Sequence, residues 1–156
     1  MLGITLRRII GDATVRPDRT YAGDLSPWQA WDRLSDDPAS VLVDVRTEPE
    51  WHFVGRPDLR QLGQEPVFLA WQLYPDMRPN PNFIGDLKTF GINRNTPLLL
   101  LCRSGQRSRA AAVALTAEGF TAAYNIADGF EGPRDDAGHR GTSVGWKALD
   151  LPWVQG

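Results

Sequence analysis

LLLLCRSGQRSRAAAVALTAEG, residues 98–119, combines the patterns that decide the fold. The four leucines form a short apolar run that is typical of a strand buried on both faces of a sheet. Residues 108–118 are strong helix formers, and Gly119 follows them at the position where helices commonly end. Between the two lies a short polar loop that begins with Cys102. The stretch therefore predicts a buried strand, a tight loop and a helix in direct succession.

Three other stretches have the apolar or β-branched character of buried strands. They are VLVDV (41–45), VFLAW (67–71) and AAYNI (122–126). VLVDV ends directly in charged residues, so the carboxyl end of that strand should open to solvent. Together with the leucine run, these stretches predict the strands of one sheet.

Two further helices are predicted between the strands. Ser26 as N-cap and Pro27 in the first turn begin one helix over residues 27–35. The other is indicated by apolar side chains at i, i+4 and i+7 and by a closing glycine: Phe83, Leu87, Phe90 and Gly91. Strands that alternate with helices predict an α/β fold with a mostly parallel sheet and helices on both faces. In such folds ligands bind at the carboxyl ends of the strands.

The chain of 156 residues has the size of one domain. We expect that domain to cover residues 21–156, after a loosely ordered N-terminal arm over residues 1–20. Its 17 basic and 19 acidic residues give a formal net charge of -2, which provides no overall attraction for nucleic acid or anionic membrane. Arg7 and Arg8 interrupt any apolar run near the N-terminus, and no later segment reaches membrane-spanning length. We therefore expect a soluble, cytoplasmic protein.

Cys102 is the single cysteine, so no disulfide can form within the chain. Only two histidines, His52 and His139, accompany it. This supply of soft ligands is too small for a metal site, and we expect no bound metal.

The loop after Cys102 has the composition of an anion-binding site. A chain that turns sharply from strand to helix directs several backbone N–H groups toward one point, and Gly105 permits the backbone angles that this requires. These amides, the positive end of the helix dipole and nearby guanidinium groups should favour the thiolate of Cys102. The same site can stabilise an anionic persulfide by hydrogen bonds alone, so no cofactor is required.

A cysteine at the end of an apolar strand is usually only a small buried hydrophobe. Here the residues that follow it argue for a function, because core packing does not explain three arginines and a glycine around one sulfur: Arg103, Gly105, Arg107 and Arg109. We therefore interpret Cys102 as a nucleophile.

Four segments, in matching order, resemble the rhodanese family. They are LVDVRTEPEW (42–51), LCRSGQRS (101–108), YNIADGFEG (124–132) and GWKALDLPW (145–153). Four ordered segments are far more specific than a cysteine motif alone. The resemblance implies a rhodanese-like three-layer fold and a sulfurtransferase. Such an enzyme takes sulfane sulfur from thiosulfate or a related donor and passes it to a thiol, to cyanide or to a sulfur-accepting protein.

The resemblance also implies roles for individual residues. Cys102 would attack the outer sulfur of the donor and carry it as a persulfide. The loop would bind the substrate, with its two arginines drawing in the dianion: Arg103, Ser104, Gly105, Gln106 and Arg107. Asp44 and Arg46 match the family's Asp-Val-Arg segment. They should brace the strand end, with Arg46 against Glu50 or another carboxylate.

Two segments depart from the family pattern. FVGRPDLRQLGQEP (53–66) replaces the usual histidine-isoleucine-proline-glycine stretch, so the pocket rim on that side cannot be carried over. Residues 133–145 interrupt the approach to the last matching segment and have the length of a lid or a docking loop. Trp51, Trp71 and Trp146 are expected to pack against other side chains rather than to line a pocket.

Two other functions stay open at this point. A cysteine phosphatase or an arsenate reductase uses a similar loop, but phosphate-cleaving loops place an arginine six residues after the cysteine, where this chain has Ser108. An arsenate reductase would also need a second thiol, from outside the chain. A non-catalytic binding module would present the loop to a partner protein, and its usual sign is loss of the cysteine.

Overall fold

The structure is a computed structural model that describes residues 20–156. The N-terminal arm predicted over residues 1–20 lies outside the described residues, apart from Thr20. The described strands are β1 (Gly23–Leu25), β2 (Val41–Asp44), β3 (Arg56–Pro57), β4 (Val67–Phe68), β5 (Gln72–Leu73), β6 (Arg78–Pro79), β7 (Leu98–Leu101), β8 (Ala123–Ile126) and β9 (Trp153–Val154). The described helices are α1 (Pro27–Asp36), α2 (Phe83–Thr89) and α3 (Gln106–Ala117), with a π-type turn at Glu50–Val54 and a 3-10 turn at Arg60–Leu62.

Five of these strands form one parallel sheet in the order β1-β8-β7-β2-β4. β7 lies in the centre, and its four leucines are fully buried because both faces of the sheet are covered. β7 pairs with β2 in a register that sets Leu101 opposite Asp44. The carboxyl ends of the two strands therefore lie side by side at the same end of the sheet. Two short antiparallel pairs, β3 with β9 and β5 with β6, lie outside it.

Apolar side chains cover both faces of this sheet. On one face α2 and α3 contribute to a buried cluster in which Leu115 joins Leu100. On the other face α1 and the C-terminal segment form a second cluster, in which Trp146 joins Leu101. The predicted α/β class, with a parallel sheet between helices on both faces, is therefore confirmed.

The predicted strands agree with β2, β7 and β8 to within one residue. The strand predicted over residues 67–71 is shorter, because only Val67–Phe68 belongs to β4. Trp71 still donates a backbone hydrogen bond to the carbonyl oxygen of Val45 over 3.0 Å, but the chain there no longer has strand geometry. β1, of three residues, was not predicted.

The predicted helices are present. Ser26 caps α1, since its Oγ accepts a hydrogen bond from the N–H of Gln29 over 3.1 Å and its own N–H donates to Gln29 Oε1 over 2.8 Å. α3 begins two residues before the predicted start, at Gln106. The placement of Phe90 on the buried face of α2 is wrong, because the helix ends before it and its side chain is 53% exposed. Within residues 20–156, no helix has both the length and the apolarity needed to cross a membrane.

Candidate active site

Cys102 lies where β7 ends and the loop to α3 begins. Its side chain is 1% exposed, and the backbone N–H of Gly105 donates a hydrogen bond to Sγ over 3.1 Å. Gly105 has a φ of +105°, a conformation that favours glycine. A Cβ atom at this position would also collide with the carbonyl oxygen of Ala127. Gly105 therefore lets the loop turn tightly enough to aim an amide at the sulfur.

The turn after β8 holds this loop in place. The N–H of Phe130 donates to the carbonyl oxygen of Cys102 over 2.8 Å. The N–H of Glu131 donates to the carbonyl oxygen of Arg103 over 2.9 Å. Gly129 has a φ of +67°, and a Cβ atom there would lie 2.6 Å from the carbonyl oxygen of Cys102. The close approach of the two backbones thus depends on the glycine.

A cavity of about 280 Å³ opens onto Cys102. Five of the six predicted site residues line it: Cys102, Arg103, Ser104, Gln106 and Arg107. The sixth, Gly105, contacts the sulfur through its backbone. Three lining residues that we had not predicted come from the π-type turn and from the β5–β6 hairpin: Glu50, Gln72 and Met77.

Arg107 is paired with a carboxylate in the cavity wall. Its Nη1 and Nη2 donate to Glu50 Oε1 and Oε2 over 2.7 and 2.9 Å. Burial by itself raises the pKa of Glu50. The hydrogen bonds and positive charge of Arg107, together with hydrogen bonds from Thr47, bring that pKa below its ordinary value. Burial by itself lowers the pKa of Arg107, and Glu50 raises that pKa overall. Both side chains are therefore charged at neutral pH.

Arg46 pairs with Asp44 rather than with Glu50. Its Nε and Nη2 donate to Asp44 Oδ1 and Oδ2 over 3.0 and 2.7 Å, and Nη2 also donates to the carbonyl oxygen of Gly55 over 2.9 Å. Both charged side chains are fully buried, and the guanidinium carbon lies 4.3 Å from the ring centre of Phe130. Arg46 thus ties the end of β2 to the start of β3, which is a structural role.

The other two arginines near the cysteine occupy different places. Arg103 is exposed and lines the cavity. Arg109, which we had grouped with the residues around the sulfur, places its guanidinium 5.8 Å from the ring centre of Tyr21. Two residues along a helix rotate a side chain by about 200°. Arg109 therefore leaves α3 on a different side from Arg107.

Two buried polar residues that we had not predicted as part of the site are Ser108, which contacts the sulfur, and Asn125, which contacts Ser108. Ser108 Oγ lies 3.1 Å from Cys102 Sγ and 2.6 Å from Asn125 Oδ1. Ser108 is fully buried and Asn125 is 3% exposed. A signal for Asn125 was present in the sequence, because an amide within the apolar strand AAYNI must find a buried partner.

The two segments that depart from the family pattern have different structures. Within residues 53–66, β3 pairs with β9 and so attaches this segment to the C-terminal end of the chain. Residues 133–145 have turns but neither helix nor strand, and Asp135 organises them by accepting hydrogen bonds from Ala137, His139 and Thr142. A role as lid or docking loop stays a prediction.

The tryptophans mostly pack, as predicted. Trp71 lies edge-on against Phe83, with ring centres 5.1 Å apart. Trp146 is fully buried and lies edge-on against Trp31 at 5.9 Å. Trp51 packs on Phe68 but also lines a separate groove beside the active-site cavity.

Comparison with known protein sequences gave consistent matches. A protein-family model described as the STR4 middle domain matches residues 23–156. An uncharacterized protein of Rickettsia conorii is 41% identical over 125 residues, which are 80% of this chain and 91% of that protein. Rhodanese-like domain-containing protein 4, chloroplastic, of Arabidopsis thaliana is 30% identical over 127 residues, which are 81% of this chain and 24% of that protein.

Two solved structures share the architecture. Rv0390 from M. tuberculosis is 54% identical in sequence, with a TM-score of 0.80, and the match covers 87% of this chain and 99% of that chain. The polysulfide-sulfur transferase homodimer of Wolinella succinogenes is 21% identical, with a TM-score of 0.57, and the match covers 99% of this chain and 90% of that chain. The second likeness shows a common fold.

Proposed function

Because this chain belongs to the rhodanese-like family, within the group of the STR4 middle domain, we propose that it transfers sulfane sulfur through a persulfide on Cys102. The observation that carries the proposal is the position of Sγ on a small cavity, with the Gly105 N–H aimed at it and two arginines in the wall. The Wolinella protein is named a polysulfide-sulfur transferase, which supports the same chemistry on this fold.

In the first half of the reaction, the Cys102 thiolate attacks the outer sulfur of thiosulfate or a related donor. A new S–S bond forms while the bond to the inner sulfur breaks, and sulfite leaves with the electron pair. A persulfide anion is left on Cys102. Arg103 and Arg107 are the groups that would orient the dianion, since guanidinium groups bind such anions through charge-assisted hydrogen bonds.

In the second half, an acceptor thiol attacks the outer sulfur of the persulfide. The bond to Sγ breaks, the proton of the acceptor passes to Cys102, and the acceptor leaves as a persulfide anion. Cyanide would leave as thiocyanate by the same displacement. A cavity of about 280 Å³ is at the small end of ligand pockets, so a bulky acceptor must present its thiol at the mouth. A sulfur-accepting protein partner and a cytoplasmic location stay predictions.

A phosphatase or an arsenate reductase is less well supported. The residue six positions after Cys102 is Ser108, which is fully buried and lies against Sγ. It offers no guanidinium to a tetrahedral phosphate, and Arg107 stands one position earlier than a phosphate-cleaving loop requires. We therefore favour sulfur over phosphorus as the transferred element. The retained cysteine likewise argues against a non-catalytic binding module.

Intact mass spectrometry before and after thiosulfate, with an acceptor thiol added last, tests the proposal. We expect a gain of one sulfur atom that maps to Cys102 and disappears with the acceptor. Cys102→Ser should show no gain while keeping the fold, as judged by circular dichroism. No gain in the wild type, with phosphate ester hydrolysis or arsenate reduction in parallel assays, would establish one of the rival enzymes. Inactivity in all assays would favour the binding module.

A further inference from the structure

A series of hydrogen-bonded side chains connects the sulfur of Cys102 to β1, the outermost strand of the sheet. Ser108 Oγ lies 3.1 Å from Sγ and 2.6 Å from Asn125 Oδ1. Asn125 Nδ2 donates to Asp24 Oδ1 over 3.0 Å, and the Tyr21 hydroxyl donates to the same oxygen over 2.8 Å. The register of β1 and β8 places Asp24 opposite Asn125, so the fold itself sets this contact.

The chemistry of the groups determines the direction of these hydrogen bonds. An ionised carboxylate only accepts, so Asn125 must turn its NH₂ group toward Asp24. The amide oxygen of Asn125 then faces Ser108, and an amide oxygen also only accepts. Ser108 has a single hydroxyl proton. Because Ser108 Oγ lies only 2.6 Å from Asn125 Oδ1, which can only accept, the hydroxyl donates this proton to Asn125. A lone pair of the serine oxygen is therefore left facing the sulfur.

This arrangement suits a thiol and opposes a thiolate. The S–H group of a thiol can donate to Ser108 Oγ, so every group in the series has a partner. For a thiolate, Ser108 would have to rotate its proton toward sulfur, and the buried oxygen of Asn125 would lose its donor. We propose that Asp24 and Asn125, acting through Ser108, restrain the reactivity of the free Cys102 thiol.

The restraint applies to the free enzyme alone. In the persulfide, which rests on the function proposed above, Sγ carries no proton and the charge lies on the outer sulfur. Ser108 can then keep its proton on Asn125. The relay of Asp24, Asn125 and Ser108 therefore lowers the stability of the free thiolate relative to the persulfide.

Several charged groups also act on the sulfur. Arg103, Arg107 and Glu50 line the same cavity, and Asp44 and Arg46 form their buried pair at the adjacent end of β2. The two cavity arginines and the Gly105 N–H favour the thiolate, whereas the carboxylates and the relay oppose it. The relay differs from the charges because it acts through one hydroxyl group. This difference makes its contribution separable by mutation.

The test is the rate of alkylation of reduced Cys102 by iodoacetamide, measured as a pH profile. Asn125→Leu removes the acceptor and frees the Ser108 proton for sulfur. We expect alkylation at pH below neutrality to be roughly tenfold faster, the factor that corresponds to one hydrogen bond to a charged group, and the profile to move to lower pH. Asp24→Asn should act in the same direction, because an amide at position 24 no longer fixes the orientation of Asn125. Asp24→Asn also serves if Asn125→Leu fails to fold.

The double variant Ser108→Ala/Asn125→Leu identifies the route of the effect. If the relay acts through Ser108, Asn125→Leu should have no effect on alkylation in the Ser108→Ala background. Ser40→Ala is the matched control, since Ser40 is another buried serine and its hydroxyl donates to the carbonyl oxygen of Asp37.

An equal acceleration by Asn125→Leu in both backgrounds, or no acceleration by either Asn125→Leu or Asp24→Asn, would overturn the proposal. Alkylation does not involve sulfur transfer. A negative mass-spectrometric result for the proposed function therefore leaves this test unaffected.

Discussion

Arg107 has two competing uses, since it pairs with Glu50 in the cavity wall and lines the cavity in which we propose that an anionic donor binds. Glu50→Gln removes a negative charge from the cavity while an oxygen acceptor for Arg107 stays. We expect the KM for thiosulfate to fall several-fold in steady-state assays, with kcat little changed, because the dianion no longer faces a carboxylate.

Glu48→Gln is the matched control for this change. Glu48 lies two residues away, with a side chain that is 77% exposed and 3.7 Å from His52, so its replacement should leave KM as it is. A higher KM in Glu50→Gln would mean that the carboxylate holds Arg107 in its binding position. That outcome would contradict the competition described here.

Arg103 is the exposed arginine of the cavity, and we expect Arg103→Ala to raise the KM for thiosulfate. The loss of one guanidinium contact to a dianion corresponds to about 1.5 kcal/mol, the low end of the range, because solvent screens an exposed charge. Arg109→Ala removes the same charge from the same stretch of chain, but the guanidinium of Arg109 lies over Tyr21. Equal changes in KM for both variants would show that only the overall charge matters.

At the scale of single residues, a contact could be predicted from the sequence where the two residues are neighbours in the chain. The contact between Gly105 and Cys102 is of this kind. The partner of Arg107 was not predictable, because Glu50 is 57 positions away and only the fold brings the two together. The same holds for Asn125, whose partners Ser108 and Asp24 come from two separate segments.

Among the elements, the contact between the turn after β8 and the active-site loop gives a sharp prediction. Gly129→Ala places a Cβ atom 2.5 Å from the carbonyl oxygen of Arg103 in a left-handed conformation. We expect a loss of about 2 kcal/mol or more in the free energy of unfolding, together with the loss of sulfur transfer. Denaturant titration and single-turnover assays would measure the two effects.

Gly63→Ala is the control that measures the cost of the left-handed backbone conformation without a steric clash. Gly63 has the same φ of +67°, and no atom lies within 4 Å of an added Cβ. We expect it to lose only about 1 kcal/mol and to keep its activity. Full activity in Gly129→Ala would show that the loop does not need the turn behind it.

Longer elements were predictable and short ones were not. β7 and α3 have uniform patterns over at least four residues, so the apolar run and the helix formers identify them. β1 has three residues and β3 has two, and such lengths contain no periodicity to detect. These short strands form through pairing with distant segments, β8 and β9, and the chain alone does not specify that pairing.

For the molecule as a whole, the pair of Glu50 and Arg107 predicts how stability depends on pH. The pKa of Glu50 in the folded protein lies below its ordinary value of 4.5. Its contribution to stability is therefore present at pH above 4.5 and is lost as the pH falls through the lower, folded value. We expect the difference in unfolding free energy between wild type and Glu50→Gln to be constant near neutral pH and to shrink in acid.

Denaturant titrations of both proteins over a series of pH values would measure this difference. The remaining carboxyl groups are common to the two proteins, so their titration largely cancels. A difference that persists unchanged into strong acid would mean that Glu50 stabilises the fold through packing and not through its charge.

The short strands at the edges of the central sheet have a consequence for self-association. In the described part of the chain, the edge strands β1 and β4 have three and two residues, while the interior strands have four each. An edge of this length offers a second copy few unpaired backbone groups for strand addition, the contact from which aggregates grow. The longer interior strands β8, β7 and β2, which would aggregate most readily if exposed, therefore lie between two edge strands that are too short to pair well with another chain. The folded protein should accordingly stay monodisperse at concentrations at which an open four-residue leucine edge would seed fibrils.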